Sequence, residues 1–213
     1  PVISSEGRAF PVERRYQPLP SHQRFDEAVA IATAELLRQE PGSLLLFLPG
    51  VGEIQRVQEQ LSSRVGGDVL LCPLYGALSL QEQRKAILPA PVGQRKVVLA
   101  TNIAETSLTI EGIRLVVDSA QERVASFDPR TGLTKLLTQR ISQASMVQRA
   151  GRAGRLEPGI CLHLTSAEQA ERAAQQSTPE ILQSDLSGLV MDLLQWGCPE
   201  PGQLTWLDSP PAV

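Results

Sequence analysis

The residues best suited to chemistry lie in one short stretch, QRAGRAGR at residues 148–155. In a helix that advances roughly 100° per residue, Gln148, Arg152 and Arg155 fall within a stripe about 60° wide, whereas Arg149 points elsewhere. An arginine side chain is planar, stays charged in any environment and binds phosphate in a bidentate manner. The stretch therefore predicts arginines that approach a transferring phosphoryl group. Taken alone, it is equally compatible with a solvated basic helix end.

The same stretch carries two glycines whose presence in a helix needs a physical reason. Gly151 and Gly154 each cost a helix roughly 1 kcal/mol relative to alanine. We therefore expect the backbone to approach another part of the chain closely at this point. Ser142 is the predicted N-cap of the helix, because a serine hydroxyl accepts a hydrogen bond from a free backbone N–H of the first turn.

Three further stretches match the motifs of one protein family in the right order. They are residues 46–50 (LFLPG) with Glu53 and Ile54, residues 74–78 (LYGAL), and residues 100–110 (ATNIAETSLTI). Together with residues 148–155, they resemble motif IV, the block that follows it, motif V and motif VI of the DEAH-box RNA helicases of superfamily 2. One such match would be weak, but four in order are specific. Weaker similarity to this family extends from Gly7 to the end of the chain.

Length and composition are those of an ordinary globular protein. The chain has 213 residues, of which 42% are hydrophobic and 20% charged, enough for one core and an appendage. No apolar run approaches the roughly 20 residues of a membrane span, and no signal peptide is visible. Because the chain starts at Pro1 and ends in Pro-Pro-Ala-Val, we expect a piece of a longer protein. We also expect a cytoplasmic location and no membrane partner.

Charge, cysteines and histidines restrict the partners and cofactors. The net charge of −3 gives no bulk attraction to nucleic acid, so RNA would have to be bound by a local patch. Cys72, Cys161 and Cys198 have no zinc-ligand spacing, and we expect buried free thiols in a reducing compartment. His22 and His163 are too few and too isolated for a metal site, so none is predicted in this chain.

Hydrophobic patterning predicts an α/β fold with a parallel sheet. Continuous apolar runs, typical of strands buried on both faces, alternate with amphipathic segments. The predicted strands cover residues 43–48, 69–73, 95–101, 113–118 and 158–164, and the predicted helices cover residues 21–40, with Ser21 as cap, 53–64, 79–88 and 166–176. This alternation produces right-handed βαβ units. The family resemblance makes the sheet RecA-like, of the type found in P-loop NTPases.

The family resemblance also divides the chain. Residues 1–20 are a linker and edge segment, and residues 21–176 are the second RecA-like domain. Residues 123–127 and 133–137 flank a Pro/Gly turn and predict a projecting β-hairpin. In DEAH-box helicases such a hairpin lies near the RNA; a plain connecting hairpin is the alternative. Residues 177–213 contain an amphipathic pair of helices and resemble the truncated start of a winged-helix domain.

The resemblance assigns RNA contacts to residues that follow two predicted strands. Thr101 and Asn102 follow one strand and Gly76 follows another, at the carboxyl edge where open parallel sheets bind ligands. Small hydroxyl and amide side chains and free N–H groups suit the phosphate oxygens of a nucleic acid without reading its sequence. We therefore assign these three residues to single-stranded RNA or an RNA duplex. A simple turn glycine is the alternative for Gly76.

A second set of matching positions is assigned to the nucleotide. Ser107, Thr109 and Glu111 alternate, so an extended segment would place all three on one side, near the ribose and phosphates of ATP. Glu111 stands where the family often has Asp, so the side chain that would bind the ribose is one methylene longer. Ile87 stands where family members often place an aromatic side chain on the adenine. An aliphatic side chain covers the ring without π-stacking, and a core role for Ile87 is the alternative.

The resemblance gives the arginine stretch its role. Arg152 and Arg155 would reach the β- and γ-phosphates of ATP as arginine fingers, Gln148 would position the attacking water, and Arg149 would make structural or interdomain contacts. The sequence contains neither a G-x-x-x-x-G-K-[ST] loop nor a DEAH tetrapeptide. A first RecA-like domain of the same protein would therefore hold most of the ATP and its Mg²⁺, and this chain alone would not hydrolyse ATP.

Two other functions stay open on the sequence. The chain could be a catalytically inactive RecA-like module that binds RNA or a protein, or it could belong to a related DNA translocase. Absence of a phosphate-loop lysine from the rest of the protein would favour the first. Tighter binding of DNA than of RNA would favour the second, although these residues do not reveal a 2′-hydroxyl contact. The family resemblance also allows a separate protein activator as a partner.

Overall fold

A six-stranded parallel sheet forms the centre of the molecule. The computed structural model describes residues 9–179, 182–198, 200, 202 and 204–211. Its strands are β1 (Val12–Tyr16), β2 (Ser43–Phe47), β3 (Val69–Leu74), β4 (Arg95–Ala100), β5 (Ile113–Asp118), β6 (Gln121–Asp128), β7 (Leu133–Arg140) and β8 (Gly159–His163). The main sheet has the order β1-β8-β5-β2-β4-β3, and every neighbouring pair in it is parallel. The predicted parallel sheet is confirmed, and β1 and β3 are its edge strands.

Helices cover both faces of this sheet. They are α1 (Phe25–Gln39), α2 (Val51–Ser62), α3 (Leu80–Ile87), α4 (Ile103–Thr106), α5 (Gln143–Gly151), α6 (Ala167–Arg172) and α7 (Ser187–Gln195). On β2, Leu44 and Leu46 pack with α1 and α2, whereas Leu45 and Phe47 pack with α3 and α5. This alternation follows from the two-residue period of a strand. Of the helices described, none has both the length and the apolarity needed to cross a membrane.

β6 and β7 form an antiparallel hairpin outside the main sheet. Gln121 lies opposite Arg140 at its base, and Asp128 lies opposite Leu133 at its tip, so both strands are longer than the sequence predicts. Gly132 closes the turn with a φ of 67°, a left-handed conformation that glycine adopts without strain. The predicted hairpin is confirmed, and its position near RNA stays a prediction.

α1 begins later than predicted. Its N-cap is Arg24, which makes no side-chain capping bond, so the prediction that Ser21 caps this helix is wrong. The first turn instead carries Asp26 and Glu27, whose negative charges are favourable at the positive end of the helix dipole. These charges, together with the apolar face that begins at Phe25, account for a start without a capping hydroxyl.

The chain after β8 is less helical than predicted. α6 ends at Arg172, because the carbonyl groups of Ala174 and Gln175 accept the N–H groups of Gln143 and Ala144 at the start of α5. Those carbonyl groups therefore cap another helix instead of continuing their own. Of the helix pair predicted after residue 180, the described residues contain α7, and Ile181 lies outside them.

The three cysteines differ in burial. Cys72 and Cys161 are buried free thiols, as predicted, whereas Cys198 is only half-buried, so the prediction is wrong for Cys198. Cys198 lies three residues after the end of α7, in which Leu193 is the one buried residue among those described. That part of the chain has too little packing around it to bury a thiol completely.

Candidate functional site

α5 carries the first residues of the arginine stretch. Ser142 is its N-cap, as predicted, and its hydroxyl accepts the backbone N–H of Ser145 over 3.1 Å. Gln148 and Arg149 are consecutive in the helix and therefore point in different directions. Gln148 is exposed, whereas Arg149 has no exposed surface. The helix thus presents Gln148 to the surface and Arg149 to the interior.

α5 does not extend to the end of the arginine stretch. It ends at Gly151, so the prediction of one helical stripe that includes Arg155 is wrong. The reason lies at Gly154, where a Cβ atom would be 2.5 Å from the carbonyl oxygen of Phe10 and 2.7 Å from the side chain of Val12. The backbone leaves the helix to place Gly154 against the segment that leads into β1. The close approach predicted from the glycines is therefore confirmed at Gly154.

Arg149 lies at the centre of a buried ionic network. Its Nε donates to the Glu105 carboxylate over 2.8 Å, and its Nη1 donates to the Asp118 carboxylate over 2.8 Å. The other oxygen of Asp118 lies 2.7 Å from Nδ1 of His163, and the Arg149 guanidinium lies 4.9 Å from the centre of the Phe47 ring. The structural contacts predicted for Arg149 are confirmed. They join α4 and α5 to the ends of β5 and β8.

Arg152 and Arg155 form a pair of cations beyond the end of α5. Arg152 is 7% exposed, and its Nε and Nη1 donate to the carbonyl oxygens of Glu105 and Leu108 over 2.6 and 2.9 Å. Arg155 is exposed. Burial and then the charge of Arg155 lower the pKa of Arg152, whereas the charge of Glu105 raises it. The hydrogen bonds recorded for Arg152 go to carbonyl oxygens and not to a carboxylate, an arrangement that suits an anionic ligand.

The segment between α4 and β5 lies against this pair of arginines. Its exposed side chains are those of the predicted set, Ser107, Thr109 and Glu111. They alternate with Leu108, which is half-buried, and Ile110, which is buried. The predicted placement on one side agrees with this burial pattern, although Ser107 itself has helical backbone angles. Because Arg152 donates to the Leu108 carbonyl, Arg152 and the segment are held together.

Ile87 adjoins the same segment from the end of α3. Its carbonyl oxygen accepts the backbone N–H of Glu111 over 2.9 Å. The Ile87 side chain is half-buried, so part of it remains available to a ligand. Two hydrogen bonds to the backbone of residues 107–111 therefore connect these positions. Arg152 donates to the Leu108 carbonyl, and the Glu111 N–H donates to the Ile87 carbonyl.

The residues assigned to RNA follow two neighbouring strands. β3 and β4 pair as far as Leu74 opposite Ala100, so Gly76 and Thr101 both lie just beyond the same end of the sheet. Gly76 and Asn102 are exposed, and Thr101 is half-buried. A Cβ atom at Gly76 would meet nothing within 4 Å, so its immediate surroundings do not require a glycine. The structure brings these three residues together as the sequence predicts.

The two sets of residues lie at opposite edges of the sheet. The RNA set follows the carboxyl ends of β3 and β4, whereas Ile87 ends the helix that returns to the start of β4 and Glu111 precedes the start of β5. A strand of six residues, such as β5, is about 20 Å long. Ligands of open parallel sheets usually bind at the carboxyl edge, but Ile87 and Glu111 of the nucleotide set lie at the amino edge. Residues 101–111 cross from one edge to the other.

Sequence reasoning missed two buried residues with polar partners. Asp118 accepts from Arg149 and from the Ala120 N–H. Burial alone would raise the pKa of the Asp118 carboxyl, but Arg149 and His163 outweigh it and hold that pKa below its usual value. The sequence signal that could have revealed Asp118 was an acidic residue at the end of an otherwise apolar strand. Lys96, which has no exposed surface, gave no signal, because a lysine near the start of a strand is usually solvated.

Comparison with known families decides the classification of this chain. Residues 27–157 match the model of the helicase conserved C-terminal domain. This chain belongs to the helicase C-terminal domain family. The matched range contains both sets of residues and the whole arginine stretch, so the resemblance inferred from four motifs is confirmed.

The helicase domain is similar to parts of much longer proteins. It is 83% identical to the ATP-dependent RNA helicase HrpB of Escherichia coli K12 over 213 residues, which is 100% of this chain and 26% of that protein. It is 39% identical to the pre-mRNA-splicing factor ATP-dependent RNA helicase prp22 of Schizosaccharomyces pombe over 219 residues, which is 100% of this chain and 19% of that protein. The chain thus spans about a quarter or less of the length of these relatives.

Solved structures show the same fold. The crystal structure of the E. coli DExH-box NTPase HrpB has a TM-score of 0.96 and 83% sequence identity, and the match covers 99% of this chain and 26% of that chain. The crystal structure of the Escherichia coli DEAH/RHA helicase HrpB has a TM-score of 0.98 and 82% identity, over 100% of this chain and 27% of that chain. The predicted RecA-like α/β fold of the helicase domain is confirmed. The domain limits after residues 20 and 176 stay predictions.

Proposed function

We propose that this helicase domain is the second RecA-like domain of an ATP-dependent RNA helicase. In the complete protein it would close on ATP bound by another domain and grip an RNA strand at its opposite edge. The family match and the high identity to a protein named an ATP-dependent RNA helicase support this proposal. The separation of the two residue sets supports it as well, because a helicase must bind both ligands at once.

One observation carries the proposal: Arg152 is held by hydrogen bonds at the candidate nucleotide segment, and the exposed Arg155 follows three residues later. Arg152 uses Nε and Nη1 to bind the carbonyls of Glu105 and Leu108, which fixes its guanidinium against the candidate nucleotide segment. Arg155 is exposed beside it. Two neighbouring positive charges repel each other unless an anion binds between them, and a triphosphate supplies the negative charge.

The hydrolysis step follows from these positions. Arg152 and Arg155 contact the β- and γ-phosphates and stabilise the charge that develops on the transferring group. Gln148, exposed on the last full turn of α5, positions the attacking water. The described residues contain no group of His, Cys, Asp or Glu side chains arranged to hold a metal ion, so the proposal leaves Mg²⁺ mainly to the domain that holds ATP.

The remaining nucleotide contacts and the RNA contacts are assigned from the exposed residues. Ser107, Thr109 and Glu111 face the ribose and phosphates, and the free part of Ile87 covers the base. At the other edge, Thr101, Asn102 and Gly76 hold the phosphate backbone of single-stranded RNA or of an RNA duplex. These contacts are to the backbone, so binding would depend little on sequence. Closure with ATP and release after hydrolysis would then move the RNA.

The proposal is tested by ATP turnover of the complete protein that contains this chain, with and without single-stranded RNA. Arg152→Ala and Arg155→Ala are each expected to lower kcat by about 10³-fold or more, since an arginine finger contributes about 10³–10⁵ in rate. Arg24→Ala is the control, because Arg24 is an exposed cation far along the chain from the site. The 213-residue chain alone is expected to be inactive.

The other functions predict different results in the same assay. Equal turnover by the unsubstituted protein and both arginine variants, with all three folded, would show that the pair is structural. An absence of turnover in the unsubstituted protein, with RNA binding intact, would favour an inactive RNA-binding module. Stimulation by single-stranded DNA but not by RNA would favour a DNA translocase. Stimulation only after addition of a second protein would identify an activator.

A further inference from the structure

Lys96 is a buried lysine whose ammonium binds the end of α3. It lies in β4 with no exposed surface. Its Nζ donates to the carbonyl oxygens of Ala86 and Leu88 over 2.7 and 2.6 Å. The last carbonyl groups of a helix have no partner within the helix and carry partial negative charge. The ammonium therefore satisfies two of these carbonyl groups, one in the residue before Ile87 and one in the residue after it.

The backbone of Ile87 is held from a second direction. Its carbonyl oxygen accepts the N–H of Glu111 over 2.9 Å. At the other end of α3, Ser79 and Glu82 form a reciprocal capping box. Three consecutive carbonyl groups, those of residues 86–88, are thus bound by groups outside α3, and the position of Ile87 is set relative to both β4 and Glu111.

The free energy needed to bury its charge makes a lysine a costly partner for these carbonyl groups. Burial lowers the pKa of the Lys96 ammonium to about 8, although Cys72 and Glu111 act in the opposite direction. Placing an ammonium in the protein interior is unfavourable, and an apolar side chain of similar length would avoid that cost. Lys96 also lines an open cavity of about 290 Å³, together with residues that include Arg84, Lys85 and Leu88.

We propose that Lys96 is a positioning residue for the nucleotide base: it fixes the end of α3 so that Ile87 and Glu111 meet the nucleoside of ATP in a set geometry. The inference rests on the proposed function, since it needs ATP as the ligand. Lys96 itself touches no ligand. It acts through Ile87, which forms the contact with the base.

The test measures steady-state ATP turnover of the complete protein with saturating single-stranded RNA. Lys96→Met, which removes the ammonium and keeps a long apolar side chain, is expected to raise KM for ATP about three- to tenfold and to change kcat less than about twofold, because it weakens ground-state and transition-state binding alike. Lys85→Met is the matched control. Lys85 is exposed, lies on α3 and lines the same cavity, and its substitution is expected to leave KM unchanged.

Two further readouts separate positioning from a general structural effect. Lys96→Met is expected to raise the inhibition constant of ADP by the same factor as KM and to leave that of pyrophosphate, which has no base, unchanged. If Lys96 acts through Ile87, then Ile87→Ala raises KM, and the double variant has the KM of the worse single variant rather than the product of both effects. If Lys96→Met does not fold, Lys96→Gln replaces it, since its shorter side chain cannot reach both carbonyl groups.

The outcomes are distinct for the two proposals. Three results would each overturn the positioning role: an unchanged KM in folded Lys96→Met, equal effects on the inhibition constants of ADP and pyrophosphate, or independent effects of the Ile87 and Lys96 substitutions. In each case the arginine variants still report on the proposed function. Turnover that is absent from the unsubstituted protein would overturn the proposed function, and this inference with it.

Discussion

At the scale of single residues, Arg149 and Arg152 show how neighbouring arginines take different tasks. Arg149 has no exposed surface and binds two carboxylates, so its charge is used inside the protein. Arg152 donates to two carbonyl groups, and the proposed function gives its charge to the nucleotide. Both arginines bind Glu105: Arg149 binds the Glu105 carboxylate, and Arg152 binds the Glu105 backbone carbonyl. Motifs V and VI are therefore one packed unit.

We expect removal of the Arg149 charge to destabilise the domain strongly. Arg149→Met would leave the Asp118 carboxylate buried with one charged partner fewer, and breaking a buried ion pair costs about 3–5 kcal/mol. Urea denaturation of the 213-residue chain measures this loss. Arg130→Met is the control, since Arg130 is 92% exposed in its ion pair with Asp128 and its removal should change the free energy of unfolding by less than about 0.5 kcal/mol. Equal losses in both variants would contradict the network.

At the scale of elements, the exit from α5 is set by the contact of Gly154 with the edge segment. The N–H of Phe10 donates to the Gly154 carbonyl over 2.7 Å, and the N–H of Gly159 donates to the carbonyl of Pro11. β1 then pairs with β8. The turn that ends the helix therefore also docks the edge strand, and it places Arg155 outside the helical register.

Two glycine substitutions separate this contact from helix propensity. Gly154→Ala places a Cβ atom against the Phe10 carbonyl, and we expect a loss of about 1–3 kcal/mol, typical of overpacking. Gly151→Ala is the matched control, because a Cβ atom there meets nothing within 4 Å, and alanine is expected to stabilise the last residue of α5 slightly. Thermal unfolding of both variants measures the difference. A smaller loss at Gly154 than at Gly151 would show that the close approach is not tight.

The hairpin is fixed to the domain body by one well-formed ion pair. The Arg123 guanidinium binds both carboxylate oxygens of Glu53 on α2, over 2.6 and 3.1 Å, and this pairing lowers the pKa of Glu53. Arg123 also donates to Thr138 on the opposite strand. Glu53 belongs to the motif IV stretch, so the hairpin is joined directly to a helicase motif.

At the scale of the whole molecule, residues 101–111 connect the two candidate ligand edges. Thr101 and Asn102 begin this segment, Glu111 ends it, and between them Glu105 and Leu108 are bound by the arginines. A segment held at both edges gives the candidate RNA and ATP sites a physical connection. Such a connection couples the two sites only if the segment has two arrangements and each ligand shifts the equilibrium between them.

We therefore expect ATP and RNA to strengthen each other's binding by the same factor. Linkage requires this equality at equilibrium, and couplings of this kind are typically about 5–150-fold. The measurement is the affinity of the complete protein for a non-hydrolysable ATP analogue with and without single-stranded RNA, and the affinity for RNA with and without the analogue. Affinities that do not depend on the other ligand would contradict coupling through this domain.

The sequence by itself determined the order of motifs, the parallel sheet and most helix starts, because these depend on local patterns. Apolar runs specify buried strands, and Ser79, Ser142 and Ser166 cap helices through neighbours three residues away. The arginine stretch was recognisable for the same reason, since residue types and spacing carry the signal.

Only the tertiary structure decided how these residues are used. The end of α5 depends on Phe10 and Val12, more than 130 residues earlier in the chain, and the partners of Arg149 come from β5 and α4. The burial of Lys96 depends on carbonyl groups of α3 that no side-chain pattern reveals. Contacts of this kind form between segments distant in sequence, and the energy of each depends on the packing around it, so local spacing does not encode them.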